Sequence, residues 1–347
     1  MVLLRLDSLA LSRSRFALSP FAQALASMML LCRPCVHPWL ADWHGRHHTA
    51  FRARLDADPF ARGLVMLVSS TKYLPDHVTL PPRGGMGTTL DSELAEVAKV
   101  PDDQVRRSLE RTLAHSWEDR DLSWLTGHSW AARTAAFVRE VWAERLAADW
   151  PRQRLVLERD VTYRAGLLAA YGWPSALDQM SRRSAWVGVD AIRFSDRAGP
   201  DRVVGPDGML FVPIVKPSSS WLCEAPDAPY ALVYPARGSG AAGGADPTPA
   251  SRRVVGALAR LIGAGRAAIL RELEHPATSS ELAAQLDQSL GTIGGHLAVL
   301  REAELVVGTR VGRRVVYRRT ELGDLLAEGT LSAGAGERKQ QGNAHDD

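Results

Sequence analysis

Three groups of residues in this sequence have side chains whose type and spacing could do chemistry. Cys32 and Cys35 form a Cys-x-x-Cys pair followed by His37, His44, His47 and His48, thiolate and imidazole donors of the kind that select zinc and softer cations. Gly238, Gly240 and Gly243 spell G-x-G-x-x-G, the turn that brings a backbone close to a pyrophosphate. Thr292 and His296 stand four apart ahead of Arg310, Arg313 and Arg314, a hydrogen-bonding pair and a cationic set that suit base edges and phosphates.

The elements around each group decide among them. The glycine run is followed by Gly244, Pro247 and Pro249, which forbid the helix whose N-terminus must hold a pyrophosphate, so no nucleotide cofactor is expected. The cysteine and histidine spacing matches no standard zinc module and no cysteine follows Cys223. These residues read as solvent-facing histidines beside ordinary cysteines, and no metal is expected. Catalytic signatures are absent: the sequence holds no G-x-S-x-G, no H-E-x-x-H and no phosphate-binding loop, so no catalytic residue is assigned.

The third group sits on an ordered pattern. Thr278 and Glu281 have capping-box spacing, which starts a helix with Leu282 and Leu286 on its buried face. Asp287 and Gln288 break that helix. Ser289 then caps a second, whose Ile293, Leu297 and Leu300 fall on one side. On that wheel His296 is read as projecting outward with Thr292. The β-branched runs VVGTRV and RVVYRR flank Gly312-Arg313, which predicts a hairpin lined by Arg310, Arg313, Arg314, Arg318 and Arg319.

Taken together, residues 261–319 resemble the winged helix-turn-helix of ArsR-type transcriptional regulators. The matching positions are Arg266, Ile269, Leu270, Glu281, Leu282, Ala283, Ser289, Thr292, His296, Leu297, Leu300, Arg301, Leu305, Val306 and Tyr317. The resemblance implies a recognition helix at residues 289–303 and a basic wing at 307–319. It implies DNA contacts from Ser289, Gly291, Thr292, Gly295, His296, Arg301, Arg310, Arg313 and Arg314. Three positions depart from the pattern: Gly294 and Gly295 replace a serine and a polar or basic residue, and Glu304 replaces the glycine that ends the helix. Interior glycines cost about 1 kcal/mol each against alanine and carry no side chain to read a base, so direct base reading is weakened.

The rest of the chain bounds this reading. With 347 residues and 46% apolar content the chain can bury more than one core, and its net charge of +3 does not by itself demand nucleic acid. An odd count of three cysteines, without a secretory leader, fits a reducing cytoplasm, and no apolar run approaches the ~18 residues of a membrane span. All ten tryptophans lie between Trp39 and Trp221. That break separates a large N-terminal part from the DNA-binding unit.

Within the large part, a stretch starting at Ser19-Pro20 and running through Leu31, residues 100–115, residues 129–150 and residues 151–171 read as helices. The opening MVLLRLDSLALSRSRF alternates like a strand, and short β-rich runs between Trp186 and Pro235 predict a small antiparallel sheet. The element order, the stretch Tyr234–Gly238 and the segment RDVTYRAGLLAAYG resemble the N-terminal domain on some actinobacterial ArsR-type regulators, which implies a fold and no chemistry.

The expected fold is therefore α+β. A mainly helical N-terminal domain with a small antiparallel sheet covers 1–237, a Gly/Ala/Pro linker 238–250, and a winged helix-turn-helix 251–330. By composition, residues 331–347 form a disordered tail. The expected function is a cytoplasmic, homodimeric DNA-binding repressor, with double-stranded DNA as partner, a small-molecule effector on the N-terminal domain and no membrane association. The rival is an enzyme in the N-terminal domain with the winged unit as an interaction module.

Overall fold

The computed structural model describes residues 2–33, 41–177, 180, 185–195, 200–215, 220–236, 257–273, 276–286, 288–311 and 314–328. The chain divides into two compact units, Met1–Asp246 with Thr309–Arg314, and Pro247–Gly308 with Val315–Asp347. The expected linker at 238–250, its G-x-G-x-x-G and the expected tail at 331–347 lie outside the described residues.

The first unit opens with β1 (Val2–Arg5), α1 (Ser8–Arg13) and β2 (Arg15–Phe16). The sequence pattern predicted one strand here, but Asp7 accepts from the Ala10 amide at 2.7 Å and starts a helical turn between two strands. Helices α2 (Pro20–Leu31), α3 (Ala41–Asp56), α4 (Pro59–Ser69), α5 (Leu90–Ala98), α6 (Asp102–Leu113), α7 (Trp130–Arg145), α8 (Trp150–Tyr171) and α9 (Trp173–Leu177) follow. Strands β3 (Ala185–Val187), β4 (Ala191–Ser195), β5 (Arg202–Val203), β6 (Met209–Ile214), β7 (Trp221–Cys223) and β8 (Tyr230–Pro235) complete the unit.

The α+β class holds, with a different strand pairing. The strands form two four-stranded sheets, ordered β3-β4-β1-β5 and β2-β6-β8-β7. In the second, β2, β6 and β8 run parallel and only β7 is antiparallel. A parallel strand is covered on both faces, so it loses the polar alternation that an antiparallel sheet shows in sequence. Every residue of β6 is buried: Leu210, Val212 and Ile214 join one core, and Met209 and Phe211 another.

Helix α2 lies at the centre of the larger core. Eleven of its twelve residues are buried, and it packs on α3, α4, α5, α7 and β6. Ser19 caps its first turn at the Ala22 amide, Glu93 accepts from the Phe21 amide at 2.8 Å, and Gln23 accepts from the Val215 amide at 2.8 Å. The expected helices at 100–115, 129–150 and 151–171 form as α6, α7 and α8. Asp102, in the first turn of α6, also reaches the Ser129 and Trp130 amides at the start of α7.

The C-terminal part of the chain holds residues 257–262, which are helical (α10), then α11 (Ala264–Glu272), β9 (Ala277–Thr278), α12 (Ser279–Leu286), α13 (Leu290–Glu302), β10 (Val306–Val311), β11 (Arg314–Arg319) and α14 (Glu321–Glu328). Its core gathers Leu258, Ile269, Leu270, Leu282, Ile293, Leu297 and Leu300. Strands β10, β11 and β9 form one sheet in that order, with β9 antiparallel to β11. Among the described residues no helix is long and apolar enough to cross a membrane.

Candidate nucleic-acid interface

Two local signals fold the helix pair as the sequence predicts. The Thr278 amide donates to Glu281 at 2.8 Å while the Glu281 amide donates to the Thr278 hydroxyl at 3.2 Å, a complete capping box ahead of α12. Ser289 accepts from the Thr292 amide at 3.1 Å and shares a 2.9 Å hydroxyl contact with Thr292. Helix α13 then buries Ile293, Leu297 and Leu300 and leaves the opposite side to solvent. That side carries Ser289, Leu290, Gly291, Thr292, Gly294, Gly295 and Arg301, all exposed.

The glycines of this face are not demanded by packing. A Cβ on Gly294 or Gly295 would meet nothing within 4 Å among the described residues, and one on Gly291 only the Ser289 hydroxyl at 3.8 Å. The helix therefore presents bare backbone over more than one turn, and a flat partner could come closer to its axis than side chains normally allow.

His296 departs from its expected place. It is half-buried, and a Cβ on Gly265 would come within 2.5 Å of its Nε2, so the ring lies on the first turn of α11 and not beside Thr292 in solvent. The reason is angular: position 296 precedes buried Leu297 and follows buried Ile293 by three, which puts it on the flank of the core stripe. Gly265 supplies the space, a partner that the spacing within α13 does not reveal.

The end of α13 is closed by a residue type that is rare there. The Glu304 amide donates to Arg301 at 3.0 Å and the Leu305 amide to Leu300 at 2.9 Å, with Glu304 at φ 55. This is a Schellman motif whose left-handed position, usually glycine, holds a glutamate. Thr320 seals it from the other side: its amide donates to Leu305 at 3.1 Å, its hydroxyl donates to Glu304 at 2.6 Å, and that same hydroxyl caps α14 at the Gly323 amide. The sequence reading missed this tie, whose signal is a threonine three residues before Gly323.

The hairpin expected after α13 forms as β10 and β11. Gly308 faces the Tyr317 ring, with a Cβ there only 3.1 Å from the ring edge. Arg310 is exposed. Arg319 is buried and pairs with Asp324 of α14 at 2.7 Å, so it ties the wing to the unit and is not a surface cation. Gly312 and Arg313, and the side chain of Arg314, lie outside the described residues.

The histidines weighed for a metal have other partners. His44 Nε2 and the Arg33 carbonyl lie 3.0 Å apart, and His48 Nδ1 and the Leu31 carbonyl 2.8 Å apart, so both rings close the C-terminal end of α2. The two rings stack at 4.6 Å, and burial lowers the His44 pKa below the ordinary histidine value. His47 packs on Trp43 at 5.4 Å. Cys35 and His37 lie outside the described residues, and among those described no three His, Cys, Asp or Glu side chains gather as a metal site.

With this geometry in place, comparison with known proteins is specific to one region. A family model described as a helix-turn-helix domain matches residues 266–309, from α11 into the first wing strand. No curated protein and no solved structure matches the chain. The C-terminal unit thus carries a helix-turn-helix domain, which supports DNA binding and a part in transcription regulation.

Proposed function

We propose that the protein is an ArsR-type repressor that binds a near-palindromic operator as a homodimer. One recognition helix from each copy would enter successive major grooves, about 34 Å apart. The observation that carries this reading is the outward face of α13: a capped N-terminus, three glycines and Thr292, with the basic wing following in the chain.

In this reading Ser289 and Thr292 meet the duplex first, because the positive end of the helix dipole and its free amides suit a phosphate. Gly291 and Gly295 allow close approach, and Arg301 and Arg310 contact the sugar-phosphate backbone. Arg313 and Arg314 extend the wing over the flanking minor groove. His296 is reassigned to packing. Specificity then leans on groove shape and backbone contacts more than on a side-chain code, because two positions that could read bases are glycine. The N-terminal unit is proposed to strengthen the dimer and to bind an effector, with no catalytic role.

An electrophoretic shift with the protein's own upstream intergenic DNA, at two salt concentrations, tests the reading. Wild type should bind that DNA in preference to unrelated duplex. The Arg313→Ala, Arg314→Ala double variant should bind more weakly and lose roughly two units of log–log salt slope, one for each phosphate contact removed. Equal, sequence-blind binding by both proteins would overturn it.

A further inference from the structure

Away from the helix-turn-helix, the N-terminal unit holds a polar cleft of about 500 Å³, within the size range of small-molecule sites. Its walls come from three places: the 3-10 turn Asp76–Val78 with the face of α6 beside it, strand β5 with the turn after it, and residues 224–230 between β7 and β8. Two ion pairs face into it. Arg111 pairs with Asp76, and Arg202 Nε donates to Glu224 at 2.9 Å while its Nη1 donates to the Pro200 carbonyl at 2.7 Å.

Tyr73 stands between the pairs. Its ring is stacked on His115 at 5.2 Å, with the Arg111 guanidinium 5.9 Å from its centroid. Its phenol is raised above the ordinary tyrosine value by burial first and then by Asp76, and it senses Arg111, Glu224 and Arg202 as well. Among the described residues no group hydrogen-bonds its hydroxyl.

The charges at the cleft are unequal. Arg111, Arg202 and, from beside it, Arg13 pair with Asp76, Glu224 and Asp207, which leaves the carboxylate of Asp227 in excess. Each guanidinium is already matched, so an entering anion would have to displace a carboxylate from its arginine. An ammonium or guanidinium would break nothing: it meets the remaining carboxylate oxygens and the tyrosine hydroxyl and offsets the excess negative charge. The charged side chains favour a polar ligand over an apolar one.

We infer that this cleft binds a small hydrophilic organic cation, an amine or guanidine of a few carbon atoms, held between Asp76 and Glu224 against Tyr73. The regulatory consequence, an amine that changes affinity for DNA, rests on the repressor reading above. The site itself does not. The ligand would bridge α6 to both sheets, since Arg202 belongs to the β3-β4-β1-β5 sheet and Glu224 follows β7 of the other.

Calorimetric titration of the full chain with agmatine, 1,4-diaminobutane and glutarate at low salt tests the site without DNA. Both amines should bind saturably at one site per chain, and the dianion of similar length should not. The Asp76→Asn, Glu224→Gln variant should bind the amines at least about tenfold more weakly, the loss expected for charge-assisted hydrogen bonds. Tyr73→Phe should weaken them less, and Asp91→Asn, outside the cleft, should leave binding unchanged. Tryptophan-monitored melts confirm that each variant is folded.

No saturable heat with either amine, glutarate binding as tightly, or amine binding untouched by the double carboxylate variant would overturn the inference. Repeating the operator shift with agmatine separates the two readings. Amine binding without any operator binding overturns the repressor reading and leaves the site standing. Operator binding without amine binding does the reverse.

Discussion

The Leu305 amide donates to the Leu300 carbonyl across 2.9 Å, and between them Glu304 is held at φ 55. Both leucines also belong to the core of the winged unit, so the hydrogen bond and the burial of both side chains act on the same turn. The left-handed conformation costs a residue with a Cβ roughly 1 to 2 kcal/mol, and glycine escapes that cost at the expense of unfolded-chain entropy. Glu304→Gly should therefore stabilise the winged unit by roughly 0.5 to 1 kcal/mol. All ten tryptophans lie outside this unit, so the readout is hydrogen exchange at the Leu305, Leu300 and Leu297 amides. Exchange that fails to slow would show that the turn is not strained.

Glu93 gives the N-terminal unit a pH dependence. It is buried at the start of α2, bonded to the Ser19 hydroxyl at 2.5 Å and the Phe21 amide at 2.8 Å, and burial raises it from 4.5 to about 7 despite those two bonds. The folded state thus keeps a proton that the unfolded chain releases above pH 4.5. Its contribution is complete below that value and is lost as pH rises through about 7, a change of roughly 3 kcal/mol. Glu93→Gln removes the titration and keeps an acceptor for the Phe21 amide. Tryptophan-monitored melts at pH 5 and pH 8 should differ markedly less in Glu93→Gln than in wild type. An equal pH dependence in both would assign the slope to other groups.

The winged unit was legible in the sequence because its signals are local. Thr278 with Glu281, Ser289 with Thr292, and the stripe of Ile293, Leu297 and Leu300 each act within a few residues. What escaped depended on distant partners. Strand β9 is two residues long and exists only because β11 pairs with it, 38 to 40 positions later in the chain. At the opening a strand was expected, and what escaped was its division by α1 and the partners of its two halves, strands near residues 191 and 210. Parallel pairing left β6 and β8 without alternation, and His296 was misplaced because Gly265 lies on another helix.

That last contact can be measured as a coupling. Gly265→Ala gains about 1 kcal/mol of helix propensity, yet its Cβ would sit 2.5 Å from His296 Nε2, so the ring must move. The single variant should therefore stabilise the winged unit by less than that propensity gain. His296→Ala should cost about 1 kcal/mol of packing, and the double variant should be more stable than the sum of the two predicts, by 1 kcal/mol or more. Strict additivity would return His296 to the surface. Operator affinity measured on folded His296→Ala should stay within about threefold of wild type, below one kcal/mol.

The buried ion pair of the first unit invites a sharper contrast. Arg164 Nε and the Tyr234 hydroxyl both donate to Asp160 Oδ2, at 3.0 and 2.7 Å, and Arg164 Nη1 donates to the Ala176 carbonyl at 2.7 Å. Asp160 and Arg164 are almost fully buried, and the guanidinium lies 5.0 Å from the Tyr234 ring centroid. Breaking such a pair strands a charge, whereas replacing both members removes the desolvation cost along with the attraction. Asp160→Asn should lose roughly 3 to 5 kcal/mol and Tyr234→Phe about 1 kcal/mol. The joint change Asp160→Leu, Arg164→Met should lose far less than Asp160→Asn alone. Guanidinium chloride unfolding followed by tryptophan fluorescence reads all three, because Trp150 and Trp173 lie at the start of α8 and of α9. A joint variant as unstable as Asp160→Asn would mean that the pair fixes the geometry of α8 and not merely its own charge.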